Sequence, residues 1–392
     1  MKQGWTYKKL GEVATFMSGY TPDKSELFSQ GKYPYFKVAE MNNPGNELFM
    51  RHTSLYIDSP KKVFPKGCII FPKNGGAIYT EKKRILEYDS VIDLNSEAIF
   101  PNGQIILKYL FCFLNHIKIS CFDKGGGLPS LDMKKMANSL IPLPSLFEQQ
   151  RIVSRLDAAF AHIDELKANA EKQLSEARAL FQKALTKAMK PKEGWKEKEL
   201  GDIVFYFSGY AFESKGYTNN NDDVLLICGD NIVHCDFRWE TIKHWPKEEY
   251  EDLKRFSLEE NDIVLAMDRP WVKSGLKIAK VSPKELPSLL IQRTACIRAP
   301  KDISSDFIFY SLQTDKYIKH LVSQQTGVGV PHISGKQILS YKISIPNFKE
   351  QQRIVSRLDS LSAHVRELEE VTQKTIAECD ALKQALLRKV FE

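Results

Sequence analysis

Ten consecutive residues are written twice in this chain. Glu148-Gln149-Gln150-Arg151-Ile152-Val153-Ser154-Arg155-Leu156-Asp157 returns unchanged, 202 positions later, as Glu350-Gln351-Gln352-Arg353-Ile354-Val355-Ser356-Arg357-Leu358-Asp359. Chance does not produce identity of that length, and an internal repeat constrains the architecture before any local pattern does. Each copy opens a run free of glycine and proline and rich in helix formers, the first lasting to Met189 and the second to Glu392. The repeat therefore predicts two long matching helices. From Glu148 to Met189, a rise of about 1.5 Å per residue gives a rod of roughly 63 Å.

Spacing gives these helices one apolar stripe each. Steps of three and four from Val153 reach Leu156, Phe160, Ile163, Lys167, Ala170, Leu174, Ala177, Phe181, Ala184 and Ala188, with Lys167 the single break. The second helix, read at the same offset, gives Val355, Leu358, Ser362, Val365, Glu369, Thr372, Ile376, Cys379, Lys383, Leu386 and Val390, widened by Leu361, Leu368 and Leu382. A seam of that length needs a partner helix, and the other copy is the obvious one.

The repeat extends beyond the helices. Gly4-Trp5 through Leu10-Gly11-Glu12-Val13 to Ser18-Gly19-Tyr20 returns, at an offset of 190, as Gly194-Trp195 through Leu200-Gly201-Asp202-Ile203 to Ser208-Gly209-Tyr210. Gly125-Gly126-Gly127-Leu128-Pro129 matches Gly327-Val328-Gly329-Val330-Pro331 at an offset of 202, so 12 residues entered the interior of the second unit. Constant edges around a divergent middle describe one scaffold carrying different recognition loops. Within each unit, short β-type runs (Cys68-Ile69-Ile70-Phe71; Ile263-Val264-Leu265-Ala266) alternate with helix-like stretches at 105–122 and 306–322. Each unit closes on an extended, proline-marked segment, Leu140–Pro144 or Lys342–Pro346, with Glu148 or Glu350 in the following first helical turn, where a carboxylate suits the helix dipole.

Charge is uneven. Residues 1–190 hold 27 Lys+Arg against 19 Asp+Glu, giving +8, whereas residues 191–392 hold 29 against 30, giving −1. The basic excess in the first half favours a polyanionic partner. No apolar run spans a bilayer and the start lacks a signal-peptide core, so a cytoplasmic protein is expected. The seven cysteines form no C-x-x-C pair and read as reduced core thiols.

Catalytic signatures are poor. Gly329 through Gln337 has the wrong glycine spacing for a phosphate loop, and Gln337 stands where a magnesium-binding hydroxyl is required. Glu81-Lys82-Lys83 and Glu213-Ser214-Lys215 satisfy only the bare E-x-K of nucleases. Asp268-Arg269-Pro270-Trp271 only loosely matches a base-holding methyltransferase loop, and no cofactor-binding glycine loop accompanies it. Cys228, His234 and Cys235 lack a fourth ligand. Taken alone, the residues also permit a protein whose paired helices join two ligand-binding heads with no nucleic-acid role.

With these features together, the chain resembles the specificity (S) subunit of Type I restriction-modification systems, the HsdS family. The resemblance covers the whole chain and rests on Leu10-Gly11-Glu12 and Leu200-Gly201-Asp202 with the following Ser-Gly-Tyr, the loops at Gly125 and Gly327, and the run Ile141 to Ile152. The second copy departs from that run at Ser344 and at Pro346-Asn347-Phe348. The fold expected is α/β: two similar mixed α/β target recognition domains (1–146 and 191–348) separated by two long helices (147–190 and 349–392) packed as a pseudo-twofold antiparallel coiled coil. The family implies a non-catalytic subunit that binds double-stranded DNA, each domain reading half of a bipartite asymmetric target. Two methyltransferase (M) subunits dock on the helices, and restriction (R) subunits join them. No cofactor is expected in this chain; S-adenosylmethionine, ATP and Mg are expected in the partners.

Base readout needs Arg, Asn or Gln on projecting elements, and phosphate contact needs Lys and Arg. The candidates for DNA are Lys37, Asn42, Lys73, Asn74, Tyr79, Lys82, Lys83 and Arg84 in the first domain, and Asn231, Arg238, Trp239, Arg269, Trp271, Lys273 and Lys277 in the second. The repeated polar residues read as lying off the seam, Gln149, Gln150, Arg151, Arg155, Gln351, Gln352, Arg353 and Arg357, are the candidates for contact with M.

Overall fold

The structure, a computed structural model, describes residues 4–272, 275–323 and 331–392. Two compact units emerge: Met1–Glu171 with Thr372–Glu392, and Lys172–Val371. Each unit contains one head and a portion of both long helices.

In chain order, the first head comprises β1 (Thr6–Lys9), the short helix α1 (Leu10–Val13), β2 (Ala14–Ser18), β3 (Tyr33–Phe36), β4 (Phe49–Met50), β5 (Tyr56–Ile57), β6 (Ile69–Pro72), β7 (Arg84–Leu86), β8 (Val91–Ile92), β9 (Ser96–Pro101), α2 (Leu107–His116), α3 (Met133–Ala137) and β10 (Leu140–Leu143). The long helix α4 (Leu146–Ala188) follows. The second head comprises β11 (Lys196–Glu199), β12 (Phe205–Ser208), β13 (Val224–Ile227), β14 (Lys243–Trp245), β15 (Ile263–Ala266), β16 (Trp271–Val272), β17 (Gly275–Leu276), β18 (Ile278–Lys280), β19 (Ser288–Leu290), β20 (Thr294–Arg298), α5 (Ser305–Ser311), α6 (Asp315–Ser323), α7 (Gly335–Leu339) and β21 (Lys342–Ile345). The chain ends in α8 (Phe348–Phe391).

The heads share one wiring. In the first, β2-β9-β6-β7-β4 form the main sheet and β5-β3-β8 a smaller one; in the second these become β12-β20-β15-β18 and β14-β13-β19. β6 meets β9 with Ile69 opposite Ile99, and β15 meets β20 with Ile263 opposite Ile297, so even the register corresponds. The helix-like stretch 306–322 forms two helices. α5 stops at Ser311 and α6 restarts at Asp315, where the Thr314 hydroxyl accepts a hydrogen bond from the Tyr317 amide at 3.4 Å.

The repeated edges have physical causes. β1 pairs antiparallel with β10 (Thr6 opposite Leu143), and β11 pairs with β21 (Lys196 opposite Ile345), so the two ends of each head close on each other. Leu10 and Leu200 are fully buried, and Gly11 and Gly201 let α3 and α7 approach; a Cβ there would meet the Ala137 Cβ at 3.3 Å and the Leu339 Cβ at 3.1 Å. In the Ser-Gly-Tyr motifs the constraint is harder. A Cβ on Gly19 would lie 2.0 Å from the Asp93 carbonyl oxygen, and one on Gly209 lies 2.1 Å from that of Ile291. Only glycine fits.

Both long helices are capped by a side chain that the proline-marked junction supplies: the Glu148 amide donates to Ser145 Oγ (3.3 Å), and the Glu350 amide to Asn347 Oδ1 (3.0 Å). None of the eleven seam positions on either helix is exposed, whereas Leu382, placed beside the seam, is. Residues that break the seam form ion pairs. In the first unit Lys167 pairs with Asp380 (3.3 Å) and Lys383 with Asp164; in the second Arg178 pairs with Glu369 (2.6 Å). In all three pairs the residue numbers add to 547, so within each unit α4 and α8 pair antiparallel with the same sum. A second α4 brought into that register would set Lys167 against Arg178, so these charges favour α4 on α8 over self-pairing. The seam continues into each head's core: Ile152, Val153, Leu156, Leu387 and Phe391 pack with Tyr109 and Phe113, and Leu185, Ile354, Val355 and Leu358 pack with Phe307 and Tyr310.

Among the described residues no helix is long and apolar enough to cross a membrane.

Candidate nucleic-acid interface

In the first head, the chain leaving β6 passes through Lys73-Asn74-Gly75-Gly76 into a single helical turn at Gly76–Thr80. Gly75 sits at φ +74, a conformation that glycine adopts freely. The segment is pinned on both sides: the Lys73 amide donates to the Asn95 carbonyl (2.8 Å) and the Gly75 amide to the Pro129 carbonyl (2.8 Å). This brings the Gly125–Pro129 loop edge alongside Asn74, which bridges Ser130.

The candidates in this head divide by burial. Lys73 is largely covered and ion-paired at 3.0 Å to Glu97, itself only 3% exposed. Tyr79 is exposed and its hydroxyl donates to Asp123 (2.6 Å), which raises the phenol's pKa and lowers that of the carboxyl. Lys82 donates to Asn42, which joins two candidates into one surface group, and Lys37 is exposed with its ammonium over the Tyr35 ring. Arg84 is half-buried and donates to the Lys83 and Met41 carbonyls. Lys83 is 4% exposed and paired with Glu81; burial depresses its pKa against the pull of that carboxylate. It is an internal ion pair and cannot touch a backbone phosphate.

The second head has a matching station after β15. The Met267 amide donates to the Arg293 carbonyl (2.9 Å), and the Arg269 amide donates to the Pro331 carbonyl (2.9 Å). Arg269 is exposed, and Trp271 is half-buried opposite Leu276 in the β16–β17 pair. Lys273 lies outside the described residues. Arg238 is exposed, and Trp239 stacks on Phe237 with centroids 5.4 Å apart. Asn231 and Lys277 are buried, at 1% and 8% exposure, which corrects their placement on the DNA-facing surface. Asn231 ties its own loop instead: its Oδ1 accepts from the Cys228 amide and its Nδ2 donates to the Arg238 and Thr241 carbonyls.

Three side chains absent from the candidates named above converge here. Asp268 takes hydrogen bonds from Arg293 through one oxygen and from His332 through the other. Burial pushes the Asp268 carboxyl upward, but the bonds from Arg293 and His332 outweigh it and hold the group below the usual carboxylate range. His332 sits directly after Pro331, the match of Pro129, and that adjacency was the available signal.

The repeated helix starts also divide. Gln150, Arg151, Arg155, Gln352, Arg353 and Arg357 are exposed, with Arg151 paired to Glu148 and Arg353 to Glu350. Gln149 and Gln351 are buried at 0% and 1% exposure, which corrects their assignment to an outer docking face. Gln149 Oε1 accepts from the Ile106 amide (2.9 Å) while its Nε2 donates to the Gln104 (3.1 Å) and Pro144 (3.0 Å) carbonyls. Gln351 repeats this with the Ser304 amide (2.9 Å) and the Pro346 carbonyl (3.0 Å). Each glutamine therefore fastens its long helix to the start of α2 or α5, and no other side chain of that length offers both acceptor and donor. Gln149→Leu is expected to remove three hydrogen bonds to backbone groups, of which the Pro144 carbonyl is buried, and to cost roughly 1–3 kcal/mol, read as a drop in the urea unfolding midpoint.

The architecture, two heads of one wiring hung on a helix pair, is matched by comparison with known proteins. The model of the Type I restriction modification DNA specificity domain matches residues 2–176 and again residues 192–378. The chain belongs to this family. It therefore holds two specificity domains, one in each unit. The EcoAI specificity subunit of Escherichia coli is 36% identical over 170 residues, 43% of this chain and 28% of that protein. The MjaVIII specificity subunit of Methanocaldococcus jannaschii is 27% identical over 385 residues, 92% of this chain and 86% of that one. A solved structure described as the basis of "complex assembly and conformational transition of the type I R-M system" superposes with a TM-score of 0.75 at 20% identity, covering 100% of this chain and 98% of that one. That likeness supports the fold of both specificity domains and of the helices between them.

Proposed function

We propose that each specificity domain reads one half of a bipartite, asymmetric double-stranded DNA target, and that the chain supplies recognition to a Type I restriction-modification complex whose catalysis resides in other subunits. The observation that carries this reading is the paired station after β6 and β15: one backbone frame, found in both domains, presents Asn74-Gly75 in the first and Asp268-Arg269 in the second. Equal scaffolds with unequal tips suit a reader of two unequal half-sites. Lys37, Asn42, Tyr79, Lys82 and Arg84 in the first domain, with Arg238, Trp239, Arg269, Trp271 and Lys273 in the second, are the side chains proposed to approach DNA.

Two methyltransferase subunits dock, in this reading, on the exposed repeated residues Gln150, Arg151 and Arg155 and on Gln352, Arg353 and Arg357. Identical surface at two helix starts fits two copies of one partner. Restriction subunits complete the complex, and S-adenosylmethionine, ATP and Mg belong to those partners.

Exchanging residues 1–146 for the corresponding domain of another family member, and sequencing methylated adenines in cells that also carry the methyltransferase subunit, tests the modular reading. The first half-site is expected to change and the second to persist. An unchanged target sinks the proposal. With the methyltransferase present, DNA affinity is also expected to fall steeply between about 50 and 200 mM salt; a two-headed protein without a DNA role shows no such dependence.

A further inference from the structure

Three backbone contacts define the same frame in both domains. Lys73 and Met267 donate to the carbonyls of Asn95 and Arg293; Gly75 and Arg269 donate to those of Pro129 and Pro331; Leu131 and Ile333 donate to those of Lys73 and Met267, the last two at 2.9 Å each. The side chains framed by these contacts correspond one to one. Asn74, Asn95 and Ser130 occupy the frame in the first domain, and Asp268, Arg293 and His332 in the second.

The chemistry of the two sets differs in a directed way. In the second domain Asp268 binds Arg293 and His332 together, and the Arg293 side chain is nevertheless 68% exposed. Among the described residues Asp268 is its only ion-pair partner. Arg293 also sits at φ +63, a left-handed conformation that a side chain of this kind adopts at a cost. A long cation with a braced guanidinium and a fixed backbone is ordered before any ligand arrives. A phosphate demands no such order, because a flexible lysine or arginine satisfies it; a bidentate base contact does. In the first domain the frame carries no charge: Asn74 Nδ2 donates to Asn95 Oδ1 at 3.4 Å, and Asn95 is exposed.

We propose that this frame is the base-reading station of each specificity domain, with Arg293, braced by Asp268 and His332, reading a guanine in one half-site and Asn95, beside Asn74, reading an adenine in the other. The pairing follows from donor and acceptor patterns. Two parallel N–H groups of a guanidinium match guanine O6 and N7, and a carboxamide matches adenine N6 and N7. This rests on the reading of the two domains as DNA readers.

The test uses the full chain with its methyltransferase subunit, and sequencing of methylated sites as the readout. Arg293→Ala is expected to relax one guanine position of the second half-site by roughly 5- to 150-fold, the worth of a bidentate arginine–guanine pair, with the first half-site unchanged. Arg293→Lys keeps the charge and is expected to lose the same discrimination while the salt dependence of binding stays as in the wild type. The graft Asp268→Asn, Arg293→Asn, His332→Ser is expected to turn that guanine into adenine. Retention of the other positions of the second half-site in each variant reports that the second domain has folded. The proposal is overturned if the second half-site contains no guanine, or if Arg293→Ala weakens binding uniformly and leaves every base preference of the second half-site intact, as loss of a phosphate contact would. If the wild-type chain directs no bipartite methylation at all, the DNA-reading function falls first and this station with it.

Discussion

Arg298→Phe is expected to destabilise the second specificity domain by about 3–5 kcal/mol, whereas Arg298→Phe combined with Asp262→Cys is expected to recover most of that loss. Asp262 is completely buried in the turn before β15. Its carboxylate receives two bonds from the Arg298 guanidinium, Nε to Oδ1 and Nη2 to Oδ2, each 2.7 Å, and a third from the Glu259 amide, also 2.7 Å. Removing the arginine strands a buried charge, the most expensive outcome for such a pair. The first domain shows what a neutral solution looks like. Through the matched registers of β6–β9 and β15–β20, Asp262 corresponds to Cys68 and Arg298 to Phe100, and those two pack against the same apolar cluster. A buried ion pair is often exchangeable for apolar residues of similar volume at little net cost. Phe205 and Phe207 already flank the Arg298 guanidinium, with ring centroids 5.8 and 5.9 Å away, so an aromatic ring meets suitable neighbours there. Thermal unfolding checks both variants: the single change is expected to lower Tm by roughly 6–20 °C. Equal loss in the single and double variants refutes the equivalence of the two sites.

That equivalence also explains what the sequence could and could not reveal. Helix periodicity is local, so the seam was legible residue by residue, down to the break at Lys167. The partner of Lys167 was not legible, because Asp380 lies 213 positions away and nothing in either helix names the register. The identity of Gln149 and Gln351 was visible and its cause was not. A glutamine on a predicted helix is usually a solvent-facing residue, and here tertiary contact with Ile106 or Ser304 makes it a buried clamp. The reading station failed for the same reason. Asp268, Arg293 and His332 lie 25 and 64 positions apart, and they meet only because β15, β20 and the strand-like edge at His332 end side by side. Runs of Lys and Arg drew notice instead, and two of those lysines, Lys83 and Lys277, turned out to be walls of the fold. Charge in a sequence shows composition; exposure depends on which strand a residue faces.

The helix register yields the other large expected effect. Asp164, Lys167 and Arg178 on α4 face Lys383, Asp380 and Glu369 on α8, and one total of 547 covers all three pairs. Inserting a single turn after Asn169 in α4 alone leaves the first two pairs in place and shifts every later α4 position by four. Arg178 then no longer faces Glu369, and the apolar positions Leu174, Ala177 and Phe181 lose their partners with it. Such a variant is expected to lose directed methylation. A matched pair of seven-residue insertions, after Asn169 in α4 and before Glu378 in α8, keeps the steps of three and four and preserves all three ion pairs. Both helices lengthen by about 10 Å. If the paired helices set the distance between half-sites, the unspecified gap in the methylated target grows by about three base pairs, at roughly 3.4 Å per step, with both half-sites unaltered. Methylome sequencing reads the result directly. An unchanged gap in the matched variant removes the helices as the ruler, because the insertion touches none of the exposed residues proposed to dock the methyltransferase, Gln150, Arg151, Arg155, Gln352, Arg353 and Arg357.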